Sequence, residues 1–179
     1  TARIEHSRAQ IVHAYQVMTA AQALDMLVKD AERGQRGYLL NNDPSYLTPY
    51  ATGIVAIPDA VARLRSLTAD ELAQRQRMTD LQAAIDIKLT ELKSTLDAKR
   101  NGGIPQALAI VKNDSGETAM KTIVAILADV IAAENQSLPL IVGATRADEE
   151  LRNRLALLGG GVILAIMAAA AFVLYRAYF

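Results

Sequence analysis

Apolar positions in the first forty residues return at three-, four- and seven-residue steps: Ile4, Ile11, Tyr15, Met18, Ala21, Leu24, Val28 and Ala31. That spacing keeps to one face of a helix, and no Pro interrupts residues 1 to 40, so one long amphipathic helix is expected there. Its predicted end is Asn41-Asn42-Asp43-Pro44. Asn can close one helix, Asp43 can cap the next, and Pro44 suits a first turn. A second helix over roughly 44 to 67 carries Pro49, Gly53 and Pro58, which predict a kink or fraying. Thr68-Ala69-Asp70-Glu71 matches a capping box and marks the start of a third helix, with a stripe of Met78, Leu81, Ile85, Leu89, Leu92 and Leu96. Asn101-Gly102-Gly103 is its stop.

Ile104 to Lys112 reads as a short helical piece, closed by Asn113-Asp114-Ser115-Gly116. From Glu117 a last helix places Met120, Ile123, Leu127, Ile131, Leu138 and Ile141 on one side. Pro139 removes the donor for the carbonyl of Asn135, so a kink is expected near 135 to 143. Beyond it, Arg146 with Glu150 and Glu150 with Arg154 are opposite charges four apart, which suit a resumed helix. No run alternates with period two. The expected fold is all-α: an elongated up-and-down four-helix bundle about 50 Å long, its last helix leading into a single transmembrane helix.

That span is the charge-free block from Leu155 to Tyr175, about 31 Å as a helix against a hydrocarbon core of roughly 30 Å. It explains part of an apolar fraction of 51%. Phe172, Tyr175, Tyr178 and Phe179 form an interfacial belt at its far end, next to Arg176. Arg152 and Arg154 stand at the near end, so the basic residues leave the orientation open. Gly161, Ala165 and Ala169 are four apart and offer a groove to a second helix. Membrane helices are also rich in Gly and Ala generally, and the two readings weigh equally.

Charge and chemistry narrow the function. The chain holds 19 Lys plus Arg and 19 Asp plus Glu, and only Arg176 follows residue 154, so the polar part is close to neutral and nucleic acid is not an expected partner. Cys is absent, which excludes disulfides and thiolate chemistry. His6 and His13 lie seven apart and read as surface residues. Asp148-Glu149-Glu150 points in different directions around a helix, with an Arg near each, and is not read as a metal site. No phosphate-binding loop, zinc pattern or nucleophile elbow occurs. No catalytic residue, metal or cofactor is expected.

The densest polar stretch is Asp30 to Tyr50, DAERGQRGYLLNNDPSYLTPY. Gly34 and Gly37 each cost about 1 kcal/mol in a helix relative to Ala, so a neighbouring backbone is expected to come near them. Around them, Asp30, Glu32, Arg33, Arg36 and Tyr38 can bind a small anion or tie down the corner through ion pairs, and tethering is the favoured reading. The candidate ligand-binding residues are Asp30, Arg33, Arg36, Tyr38 and Tyr46.

This run, Asp-Ala-Glu-x-Gly-Gln-Arg-Gly-Tyr-Leu-Leu followed by Asp-Pro-x-Tyr-Leu and Pro-Tyr, resembles the third type of CHASE domain, as do Arg63-Leu64-Arg65-Ser66-Leu67-Thr68 and Lys99-Arg100-Asn101-Gly102-Gly103. The likeness covers most of residues 24 to 138. It implies an extracytoplasmic helical bundle held between two membrane helices, in bacterial receptors that are usually histidine kinases and less often nucleotide cyclases or chemotaxis transducers. Asn41-Asn42 stands where the family commonly has Thr-Gly, so the corner's backbone is expected to differ there. No binding residue is carried over.

The expected organisation is a sensor domain over 1–154, a transmembrane helix over 155–175 and the start of a cytoplasmic part at 176–179. Localisation is the bacterial inner membrane, with 1–154 periplasmic. Without an initiator Met or a signal sequence at Thr1, the numbering is expected to begin inside a longer product, with room for a first membrane segment ahead of it. Expected partners are a second copy in a homodimer, the membrane, a small-molecule or protein stimulus, and a cytoplasmic response regulator reached through the kinase. The rival is a tail-anchored helical scaffold whose apolar block serves only as an anchor.

Overall fold

The computed structural model describes residues 2–139 together with Leu157, Leu158 and Met167. Among the described residues all regular structure is helical. Helix α1 runs Ala2–Asn41, a single 3-10 turn covers Pro44–Tyr46, α2 runs Leu47–Leu67, α3 Leu72–Gly102 and α4 Ile104–Val111. A fifth helix, α5, is described over 115–139. Two compact units divide the chain, Ile11–Gln136 and Thr1–Gln10 with Ser137–Phe179.

The core belongs to Ile11–Gln136. Helix α1 supplies Val17, Ala21, Leu24, Val28 and Ala31, while α2 adds Ile57, Val61 and Leu64. From α3 come Met78, Leu81, Ile85 and Leu92, and from α5 Ile123, Leu127 and Val130. A fully buried Leu or Ile side chain contributes about 1.5–3 kcal/mol relative to an exposed one, so this shared interior is what holds four marginal helices in register. Tyr15, expected inside, is 57% exposed; the α1 stripe centres instead on Ala14, Val17 and Ala21, which are 1%, 0% and 0% exposed. Both His6 and His13 are exposed.

Contacts fix the directions. A Cβ on Gly34 would meet Tyr46 and Tyr50, and one on Gly53 would meet Ala31 and Leu27, so α1 and α2 run antiparallel. Gln35 bonds Leu92 and Lys99 bonds Tyr38, which makes α1 and α3 parallel. Helix α4 lies against α3.

The first corner forms as the sequence implies. Asp43 caps the 3-10 turn by accepting from the Ser45 N–H at 2.9 Å, and Pro44 opens it. Asn42 takes φ 57, the left-handed region that Gly enters freely and Asn tolerates, so Asn at this place does not itself require a new backbone. At the far end of α3, Gly103 takes φ 81 as the C-cap.

Two expectations are corrected. The capping box at Thr68 does not form: Thr68 is the C-cap of α2, its hydroxyl donates back to the Leu64 carbonyl at 2.9 Å, and α3 begins at Leu72 after Glu71. A buried Thr hydroxyl finds the nearer carbonyl of the helix it ends. Fraying is likewise not found in α2, which is helical throughout Leu47–Leu67 with Pro58 inside it. Pro49 falls in its first turn, where an N–H is not needed, Gly53 is buried against α1, and Pro58 is on the exposed side.

Helix α5 passes through 135–139 as helix. The 140–143 part of the expected kink, the pairs among Arg146, Glu150 and Arg154, Asp148-Glu149-Glu150, Gly161 with Ala165 and Ala169, and the aromatic belt all lie outside the described residues. So does the apolar block except Leu157, Leu158 and Met167, which are helical and exposed. Among the described residues no helix is long and apolar enough to cross a membrane.

Candidate ligand site

Helix α3 buries a column of residues that hydropathy alone would place outside. Lys88, Glu91, Thr95 and Lys99 are 2%, 8%, 0% and 9% exposed. They continue the stepping of Met78, Leu81 and Ile85 at three- and four-residue intervals, so the helix turns them inward whatever their polarity. A search restricted to apolar residues passes over them; the signal is their register.

Burying these charges is tolerable only because each is paired. The Lys88 ammonium donates to Glu32 at 3.1 Å and to Glu91 at 3.0 Å, and the Thr95 hydroxyl donates to the other Glu91 oxygen at 3.1 Å. Gln35, 2% exposed, donates to the Leu92 carbonyl at 3.1 Å. Gly116 at the start of α5 makes room for the network: a Cβ there would strike the Glu91 carboxylate at 2.5 Å.

Beside this network lies a cavity of ≈ 330 Å³ between α1, α3, α4 and α5. Its polar lining comes from Glu32, Gln35, Arg36, Lys88 and Glu91, with Glu117 at one side. Leu39 from α1 and the half-exposed Leu108 and Val111 from α4 give it an apolar side, with Leu40, 85% exposed, at the rim. A cavity with a few convergent polar groups and apolar walls can orient a small molecule.

The five residues singled out from the sequence do not meet at one point. Asp30 and Arg33 pair with each other at 2.8 Å on the outside of α1, with side chains 43% and 79% exposed, a contact that contributes little and ties down nothing beyond its own helix. Tyr38 is held by Lys99, whose ammonium donates to the Tyr38 carbonyl at 2.6 Å and stands 3.8 Å from its ring centre. This cross-helix cation tethers the corner. Tyr46 lays its ring over Gly37 and stays 43% exposed. Only Arg36 of the five lines the cavity.

These helices and this cavity fall within a known family. The CHASE3 domain model matches residues 7–139, which span all five helices and both sides of the cavity. The chain belongs to the CHASE3 domain family. CHASE3 domains are extracytoplasmic sensors of membrane receptors. Among solved structures, the sensor domain of the Rhodopseudomonas palustris histidine kinase HK9 is similar in fold, with a TM-score of 0.62, 22% identity, and coverage of 70% of this chain and 98% of that one. No curated protein matches the chain.

At the other end of this CHASE3 core, Glu134 on α5 is 8% exposed. Burial raises its carboxyl above the ordinary 4.5, the Glu71 charge raises it further, and His13 opposes both. Among the described residues no group of three His, Asp or Glu converges to hold a metal ion.

Proposed function

We propose that the chain is the input domain of a bacterial transmembrane receptor, most simply a sensor histidine kinase whose catalytic part follows Phe179. The single observation that carries this reading is positional: the CHASE3 match ends at residue 139, and a charge-free block long enough to cross a bilayer begins at Leu155. Likeness of the fold to a histidine kinase sensor domain supports the same output class.

In this reading residues 1–154 lie in the periplasm as an elongated up-and-down four-helix bundle, 155–175 cross the inner membrane, and 176–179 begin the cytoplasmic part. Parallel α1 and α3, with α2 antiparallel to α1, support the topology. The exposed Leu157, Leu158 and Met167 are suited to face lipid. The receptor acts as a homodimer, the form in which a shift or rotation of α5 has a partner to move against. A stimulus alters packing in the bundle, the movement passes down α5 by way of Pro139, and the kinase passes phosphate to a response regulator.

The test is a pair of reporters fused after residue 179 in the intact membrane: alkaline phosphatase, active only outside the cytoplasm, and a fluorescent protein, active only inside. Fluorescence without phosphatase activity is expected. Phosphatase activity without fluorescence gives the tail-anchored scaffold instead.

A further inference from the structure

The charges around the α1–α3–α4–α5 cavity are paired in an uneven way. Glu32 and Arg36 stand four apart on α1, a spacing at which a carboxylate and a guanidinium on an exposed helix readily pair. They do not. Glu32 turns inward to Lys88, and Arg36 has no carboxylate partner among the described residues. At the floor, one ammonium serves two carboxylates, leaving a surplus negative charge where Glu32 still has a free oxygen edge, its side chain 24% exposed. Glu117, at the side, is already engaged by Lys121 at 2.6 Å. The cavity therefore offers one unmatched negative group and, four residues further along α1, one positive group without a carboxylate partner among the described residues.

We infer that this cavity binds a small zwitterion with an apolar body, of the free α-amino acid type: its ammonium on the open oxygen of Glu32, its carboxylate on Arg36, its side chain against Leu39, Leu108 and Val111. Each single-ended ligand is a poorer match. A simple amine leaves Arg36 unused, and a simple carboxylate faces the surplus negative charge of the floor. The planar guanidinium can take a carboxylate through two parallel hydrogen bonds, which fixes the ligand's orientation as well as adding affinity. A volume of ≈ 330 Å³ sits at the small end of ligand pockets, which run from about 300 to 1,000 Å³, and it suits a molecule of this size. Binding at Glu32 on α1 would also reach α3 and α5, since Glu32 shares Lys88 of α3 with Glu91, and Gly116 of α5 packs on Glu91. The inference names the stimulus for the sensor reading and rests on it.

Calorimetric titration of the full chain in detergent micelles tests the assignment, with L-leucine and L-phenylalanine as probes and two leucine fragments as controls: 3-methylbutylamine, which lacks the carboxylate, and 4-methylpentanoate, which lacks the amine. At least one amino acid is expected to bind about tenfold or more tighter than either fragment. Arg36→Ala, at an exposed position, should weaken that amino acid about tenfold, leave 3-methylbutylamine unchanged and keep the melting temperature. Arg36→Lys should restore part of the loss. The inference is overturned by no saturable binding of either amino acid up to about 10 mM, by a fragment that binds as tightly, or by an Arg36→Ala loss that is equal for the amine. Such a failure leaves the sensor reading standing if the reporters place residue 179 in the cytoplasm, and a failed reporter result removes the sensor reading whatever the calorimetry gives.

Discussion

Lys88 holds the buried polar column of α3 together. Its side chain is 3% exposed and its ammonium holds two carboxylates, of which Glu91 is itself 7% exposed. Removing one member of a buried pair strands the other charge, whereas replacing both with apolar groups leaves nothing to desolvate. Lys88→Met should therefore lower stability by about 3–5 kcal/mol, and adding Glu91→Leu should recover much of it; urea unfolding of the three forms checks both. Glu134 gives a pH-dependent counterpart. Its carboxyl is raised in the fold, so the protonated form is favoured there, and its contribution is present below the ordinary 4.5 and lost as pH rises through the folded value. Melting temperature should fall across that window, and Glu134→Gln should flatten the slope. A steeper slope in the variant contradicts the assignment. Neither residue stood out in the sequence, because Lys88 and Glu134 are inward by register and not by hydropathy.

At the scale of elements, glycines set how closely α1 and α2 approach. A Cβ on Gly34 would meet the Tyr46 carbonyl oxygen at 2.7 Å and the Tyr50 nitrogen at 3.1 Å, both main-chain atoms that cannot swing aside. Gly34→Ala gains about 1 kcal/mol of helix propensity but forces the corner open at about 1–3 kcal/mol, so net destabilisation is expected. Gly37→Ala meets only the exposed Tyr46 ring, which can rotate away, and should be the milder change; thermal melts of the two variants decide. These contacts explain how much was legible beforehand. Helix periodicity placed four long helices, the Asp43-Pro44 corner and the Gly103 stop, since each follows from local rules. The sequence also marked Gly34 and Gly37 as needing a packing reason. Thr68 misled because its pattern fits two helix ends equally, and only the buried position of its hydroxyl selects the Leu64 carbonyl. The cavity was invisible for a similar reason: it joins Arg36 to Glu91 and Val111, residues far apart in sequence that only the packing of α3 and α4 on α1 brings together.

For the whole molecule, the proposed receptor has its helical CHASE3 domain on the outer side of a membrane, followed in the chain by the apolar segment proposed to cross it. The chain contains no Cys, so a single introduced thiol reports its own location without background from this domain. Tyr46 suits the purpose, being 43% exposed at the corner between α1 and α2. Tyr46→Cys in the intact receptor, in cells treated with a membrane-impermeant maleimide, is the most direct measurement. A periplasmic domain predicts that the thiol is labelled in cells with a permeable outer boundary and an unbroken inner membrane. Labelling that appears only after the inner membrane is lysed would contradict it.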